Sequence, residues 1–98
     1  MRAVGFTVEA EEEAREAFVW YRARDRSTAD RFEACFVEAV ARIAEAPSLG
    51  VEIELGIRRQ LSPPFPYAVL YEFEPERVTI LTVMHTRRRP GFWRGRAR

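Results

Sequence analysis

The single histidine, His85, stands two residues ahead of three consecutive arginines, Arg87, Arg88 and Arg89. Imidazole exchanges protons near neutral pH, and guanidinium grips phosphate through paired N–H groups. This spacing therefore sets an acid–base group beside anion-binding cations. A further cation, Arg58, lies upstream with Arg59 next to it. Metal-free cleavage of RNA by its own 2′-hydroxyl asks for little more. One group takes the hydroxyl proton, a cation stabilises the phosphorane, and an acid protonates the leaving 5′-oxygen. His85, Arg58 and Arg87 could divide those catalytic tasks. Plainer readings stand beside this one. A lone histidine at a strand end is often a surface or structural residue, and an arginine run can be a solvated tail. Arg58 and Arg59 also alternate across their strand, so only one can face a given groove.

Stepping along the chain gives the elements that must hold these groups. Val4, Phe6 and Val8 alternate in residues 3–8, the pattern of a short half-buried strand. Glu11, Glu12 and Glu13 follow as a solvated helix start, where the dipole favours negative charge. Ala14, Ala17, Phe18 and Tyr21 then share one face of a helix ending near Asp25. Ser27 is the expected cap of a second helix, with Asp30 three residues on. Its inner face carries Ala29, Phe32, Phe36, Val40 and Ile43, and Pro47 stops it. Residues 48–55 read as a connector. Three strands follow, at 56–61, 67–73 and 77–85. Glu74-Pro75-Glu76 turns between the last two, and Ser62 to Pro66 is a rigid extended loop. On the last strand Val78, Ile80, Thr82 and Met84 share one face, and Leu81 and Val83 the other. Phe6, Phe32, Phe36, Tyr71 and Phe73 are expected in the core, with Cys35 as a small core residue. The order is β-α-α-β-β-β, an α+β fold with a helical hairpin packed on a small antiparallel sheet.

Ninety-eight residues make a single domain, 1–98, with an Arg-rich C-terminal tail from about residue 87. One cysteine excludes an internal disulfide, and with one histidine it leaves no metal site. No cofactor is expected. No stretch approaches the roughly 20 apolar residues that cross a bilayer, so no membrane association is expected. The first residues hold one arginine followed by acids, unlike a signal peptide, which points to a cytoplasmic location. A net charge of +1 conceals an asymmetry. Residues 1–57 carry seven arginines against twelve acids, and residues 58–98 nine against three. An acidic front half and a basic back half should attract two different partners.

Four segments in this order resemble the RelE/ParE superfamily of type II toxins. They are the aromatic pair Trp20-Tyr21 closing the first helix; Gly56-Ile57-Arg58-Arg59-Gln60-Leu61; Phe65-Pro66-Tyr67-Ala68-Val69-Leu70-Tyr71; and Val83-Met84-His85 running through Arg87-Arg88-Arg89-Pro90 to Phe92-Trp93. The resemblance implies a plasmid-stabilisation type toxin that inhibits growth when free of a ParD- or RelB-like antitoxin, with which it forms a hetero-oligomer. Some relatives poison DNA gyrase; others cut messenger RNA on the ribosome. Arg59, Tyr67, Arg88, Arg89, Phe92 and Trp93 are the expected target- or RNA-binding residues, and in the nuclease case His85, Arg58 and Arg87 are the catalytic ones. Two positions depart from the nuclease pattern. Ala68 stands where many nucleases place an arginine, and Phe92 or Trp93 where they end in tyrosine. A gyrase-binding toxin needs neither, so both targets stay open, and so does whether the chain is an enzyme. Phe18, Trp20 and Tyr21 hold more aromatic mass than one short helix buries by itself, and are the expected antitoxin contacts.

Overall fold

Thr7 sets where the first strand stops. Its N–H donates to the Ile80 carbonyl at 3.0 Å. Its hydroxyl accepts from the Ala10 N–H at 3.1 Å and donates to the Leu81 carbonyl, also at 3.1 Å. A capping hydroxyl of this kind is worth about 1 kcal/mol. Strand β1 is therefore Ala3–Phe6, and helix α1 runs Val8–Arg24. Val8, expected to continue the strand, instead opens the helix and is exposed. The computed structural model describes residues 2–89 and 91–96; Pro90, named above, lies outside the described residues.

Asp25 alone separates α1 from α2 (Arg26–Glu45). It caps both helices, its N–H donating to the Tyr21 carbonyl and its carboxylate accepting from the Thr28 hydroxyl at 2.6 Å and N–H at 3.1 Å. The hydroxyl bond first, then the backbone bond, holds its carboxyl below the usual carboxylate range. Ser27, expected as the cap, lies in the first turn instead. Pro47 ends α2 and begins a 3-10 turn, Pro47–Leu49. The expected connector then yields a strand, β2 (Val51–Glu54), paired antiparallel with β3 (Ile57–Leu61). Glu52 lies opposite Arg58 in that ladder, and its carboxylate accepts the Gly56 N–H at 3.1 Å. The turn between them needs Gly56, whose φ is 81°.

Strands β4 (Tyr67–Glu74) and β5 (Arg77–His85) complete a sheet of order β1-β5-β4-β3-β2. β1 runs parallel to β5 and the other pairs are antiparallel, so the sheet is mixed. The Ser62–Pro66 link closes tightly rather than extending: Ser62 donates to the Tyr67 carbonyl and Phe65 to that of Ser62. Both faces of the sheet are covered at the centre of β4, which is why Ala68, Val69, Leu70 and Tyr71 are buried in succession. Val69, Tyr71, Val78, Ile80 and Val83 meet Ala10 and Ile43 on the helical side. Ile57, Ala68, Leu70 and Leu81 form a second core on the other side, closed by Trp93. Phe73, expected in the core, sits at its rim, 36% exposed.

A bulge divides β5. Leu70 pairs with Thr82 but Tyr71 pairs with Ile80, leaving Leu81 without an opposite residue. An inserted residue of this kind inverts the alternation beyond it. Val83 therefore joins Val78 and Ile80 on the helical side, and Met84 joins Leu81 on the other, the reverse of the strict alternation expected.

Candidate functional site

The bulge also turns His85 toward the helices. His85 pairs with Tyr67, and the two rings meet edge to face at 5.5 Å. Its Nδ1 accepts the Arg87 backbone N–H at 3.1 Å, so the neutral ring carries its proton on Nε2. Together they line a cleft of about 530 Å³ between α1 and the end of the sheet, with Glu16, Trp20, Tyr21 and Arg88. Burial raises the pKa of Tyr67, and Tyr21 to a smaller effect beside it, while burial alone raises that of Tyr21, so both phenols stay protonated at neutral pH.

The expected catalytic partners of His85 are elsewhere. Arg58 pairs with Tyr71, four residues along β4 from the partner of His85 and across that strand. That register puts the two backbones on the order of 15 Å apart. The Arg58 guanidinium is engaged by the connector, donating to the carbonyls of Ser48 at 3.1 Å and Gly50 at 2.7 Å. Arg59 lies on the opposite, open face, beside Leu70. Arg87 reaches His85 only through its backbone, its side chain being exposed, as are those of Arg88 and Arg89. Among the described residues, none of these three side chains pairs with a carboxylate.

Residues 91–96 pack against the sheet. Trp93, expected to meet a target, is 5% exposed within the second core. Arg88 lies over the Phe92 ring at 4.0 Å and Arg96 at 5.2 Å. Arg94 pairs with Glu54. Arg96 donates through both terminal nitrogens to Glu13 at 3.0 Å, and also to the Leu81 carbonyl. Glu13 accepts in addition from the Thr82 hydroxyl at 2.7 Å and the Val83 N–H at 3.1 Å. It is thus no solvated helix start. The signal was its spacing: three residues after buried Ala10 and four before buried Ala17, on one helical face.

The three aromatic residues expected to meet a partner diverge. Tyr21 joins a cluster with Phe32, Phe65 and Tyr67, at ring distances of 5.3, 5.1 and 6.4 Å. Trp20 is half exposed, with Arg24 stacked 3.5 Å from its ring. Phe18 lines a separate apolar groove between the helices with Phe32 and Phe36.

A family model for the ParE toxin of type II toxin–antitoxin systems matches residues 4–90. This chain belongs to the ParE toxin family. Its fold is similar to that of a solved chain described as a chromosomal ParDE toxin–antitoxin system from P. aeruginosa, with a TM-score of 0.73 and 16% identity. That likeness covers 87% of this chain and 96% of the other. Among curated proteins no sequence matches significantly. The family match ends before Phe92, so the segment that brings Trp93, Arg94 and Arg96 onto this ParE-family sheet lies beyond it. Among the described residues no helix is long and apolar enough to cross a membrane.

Proposed function

We propose that this ParE-family toxin, when free of its antitoxin, arrests growth by binding DNA gyrase in the cytoplasm rather than by cutting RNA. One observation carries the reading: His85, Arg58 and Arg59 occupy a helix-side cleft, a structural contact to the connector, and the open face respectively. A binding mechanism asks only for a presented surface, and Ala68 and Phe92 take nothing from it. Arg87, Arg88 and Arg89 supply exposed positive charge for such a surface. The second reading, ribosome-dependent cleavage without a metal, draws support from His85 and Arg88 sharing one cleft, with no hydrogen bond to the imidazole Nε2 among the described residues.

The test uses the full chain in two assays, one with gyrase and supercoiled DNA and one with translating ribosomes. Gyrase inhibition with intact messenger is expected. Replacing His85 by alanine should leave growth arrest within about twofold of the original, whereas loss of a general acid or base lowers cleavage roughly 10²–10⁴-fold. Messenger cleavage abolished by that substitution would reverse the assignment.

The partner we assign is a ParD- or RelB-like antitoxin whose acidic, amphipathic segment folds as it wraps the toxin into a hetero-oligomer. The unpaired arginines and the apolar groove at Phe18 support such a segment, with Trp20 and Tyr21 at the neighbouring cleft.

A further inference from the structure

The cleft between α1 and the end of the sheet holds groups that no contact within the fold uses. Glu16 and Trp20 stand four residues apart on α1, so they lie side by side along its wall. Trp20 is 52% exposed, and among the described residues the Glu16 carboxylate has neither an ion pair nor a hydrogen bond. At the sheet end, the Arg88 N–H donates to the His85 carbonyl at 2.9 Å, a turn that brings Arg88 into the cleft beside the imidazole. The Arg87 backbone occupies Nδ1 of that ring, which leaves Nε2–H as its free donor. The Tyr21 and Tyr67 hydroxyls likewise meet no acceptor among the described residues.

These groups sort by charge. An acceptor-only carboxylate stands beside an indole on the helix, and a guanidinium and an imidazole donor stand at the strand end. The rings of Tyr21, Tyr67 and His85 follow one another across the cleft at 6.4 and 5.5 Å. A ligand that answers all of these is planar, carries donors on one edge and ends in an anion. An acidic peptide does not, because Glu13 and Glu16 both line the cleft, and an apolar ligand leaves the donors unmatched. The volume, about 530 Å³, is that of a small-molecule site. Of the standard bases only guanine sets two neighbouring donors, N1–H and the N2 amino group, on one edge, the pattern a carboxylate accepts. Adenine and cytosine place a donor beside an acceptor there.

We propose that this cleft binds a guanine nucleotide. The base lies against Trp20 with its donor edge at Glu16, and the 5′-phosphate meets Arg88 and the His85 Nε2–H. The site is on the helical side, apart from the open face that holds Arg59, and it requires neither gyrase nor cleavage of a strand. A bound nucleotide bridges α1 to the turn that presents Arg87 and Arg89, so its supply becomes an input to that surface.

The test titrates the full, isotope-labelled chain with guanosine 5′-monophosphate, following the Trp20 indole N–H and the His85 ring by NMR and the affinity by calorimetry. Saturable movement of both signals is expected. Adenosine 5′-monophosphate should bind about tenfold more weakly, the discrimination of one bidentate pair. Glu16→Gln should erase that preference, while Arg88→Gln should weaken the guanine monophosphate about tenfold and leave guanosine unchanged. Both residues are exposed, so the fold should survive either change, and an unaltered thermal midpoint checks this. A thymidylate pentanucleotide with guanine at its centre identifies the source. Tighter binding than the monophosphate assigns the site to a base carried in a strand, and weaker binding to a free nucleotide, each with the same dependence on Glu16. Equal affinity for the two monophosphates, a preference that survives Glu16→Gln, or no movement of the Trp20 and His85 signals overturns the proposal.

Discussion

Glu13 carries four hydrogen bonds to β5 and to Arg96, while its neighbours Glu11 and Glu12 face solvent. Its side chain and that of Arg96 are each 14% exposed, so the pair is well shielded, and removing one partner strands the other. The two losses are unequal. Glu13→Ala takes the acceptor from the Val83 N–H and the Thr82 hydroxyl and leaves Arg96 only the Leu81 carbonyl, and should cost about 2–4 kcal/mol. Arg96→Ala leaves a carboxylate with two remaining donors and should cost about 1–2 kcal/mol. Urea midpoints of the two single variants and the double variant check this. Strict additivity would show that the pair contributes no coupling.

At the scale of elements, the helices were legible from their apolar spacing, and the last three strands from the apolar runs that glycine and proline turns bound. The Ala29–Phe32–Ile43 stripe is buried as its spacing dictates. What could not be read is what tertiary contacts decide. A threonine hydroxyl ended β1 two residues early, and a pairing with β3 made a strand of the connector. One inserted residue in β5 moved His85 off the face where Arg59 lies, so the candidate residues were identifiable by type while their separation was not. The connector is pinned by the Tyr71 hydroxyl, which donates to the Pro47 carbonyl at 2.6 Å. Burial raises the Tyr71 pKa, more than a hydrogen bond from the Gly50 backbone and the nearby Arg58 lower it. A raised folded-state pKa gives stability that is complete below the unfolded value near 10 and is lost as pH rises through the folded one. Thermal midpoints should accordingly fall as the pH rises above about 10. Tyr71→Phe, destabilised at neutral pH by about 1–2 kcal/mol, should show a shallower decline over that range. Parallel curves for the two proteins would refute the link.

For the whole molecule, the sheet is a shared wall between two cores of different origin. Helices cover one side. A few residues near the chain end cover the other, and Trp93 is the largest of them in the buried cluster. Trp93→Ala should lower stability by about 3–5 kcal/mol, as deletion of a buried aromatic does. It should also expose Leu70 and Leu81, increasing binding of a hydrophobic dye. Urea unfolding and dye fluorescence measure the two effects. A loss below about 1 kcal/mol would mean that Trp93 rests on the surface instead of closing a core.

The parallel pairing of β1 with β5 has a consequence for the order of assembly. Ala3 lies beside Arg77 and Phe6 beside Ile80, so the first strand finds its neighbour only after almost the entire sheet has been synthesised. Helix pairs and hairpins close short loops quickly, whereas bridging ends so distant in sequence is slow. During translation the helical hairpin can form while Val4 and Phe6 still wait. Docking of that edge is thus a late step, and the sheet gains its parallel border only when β5 is already in place.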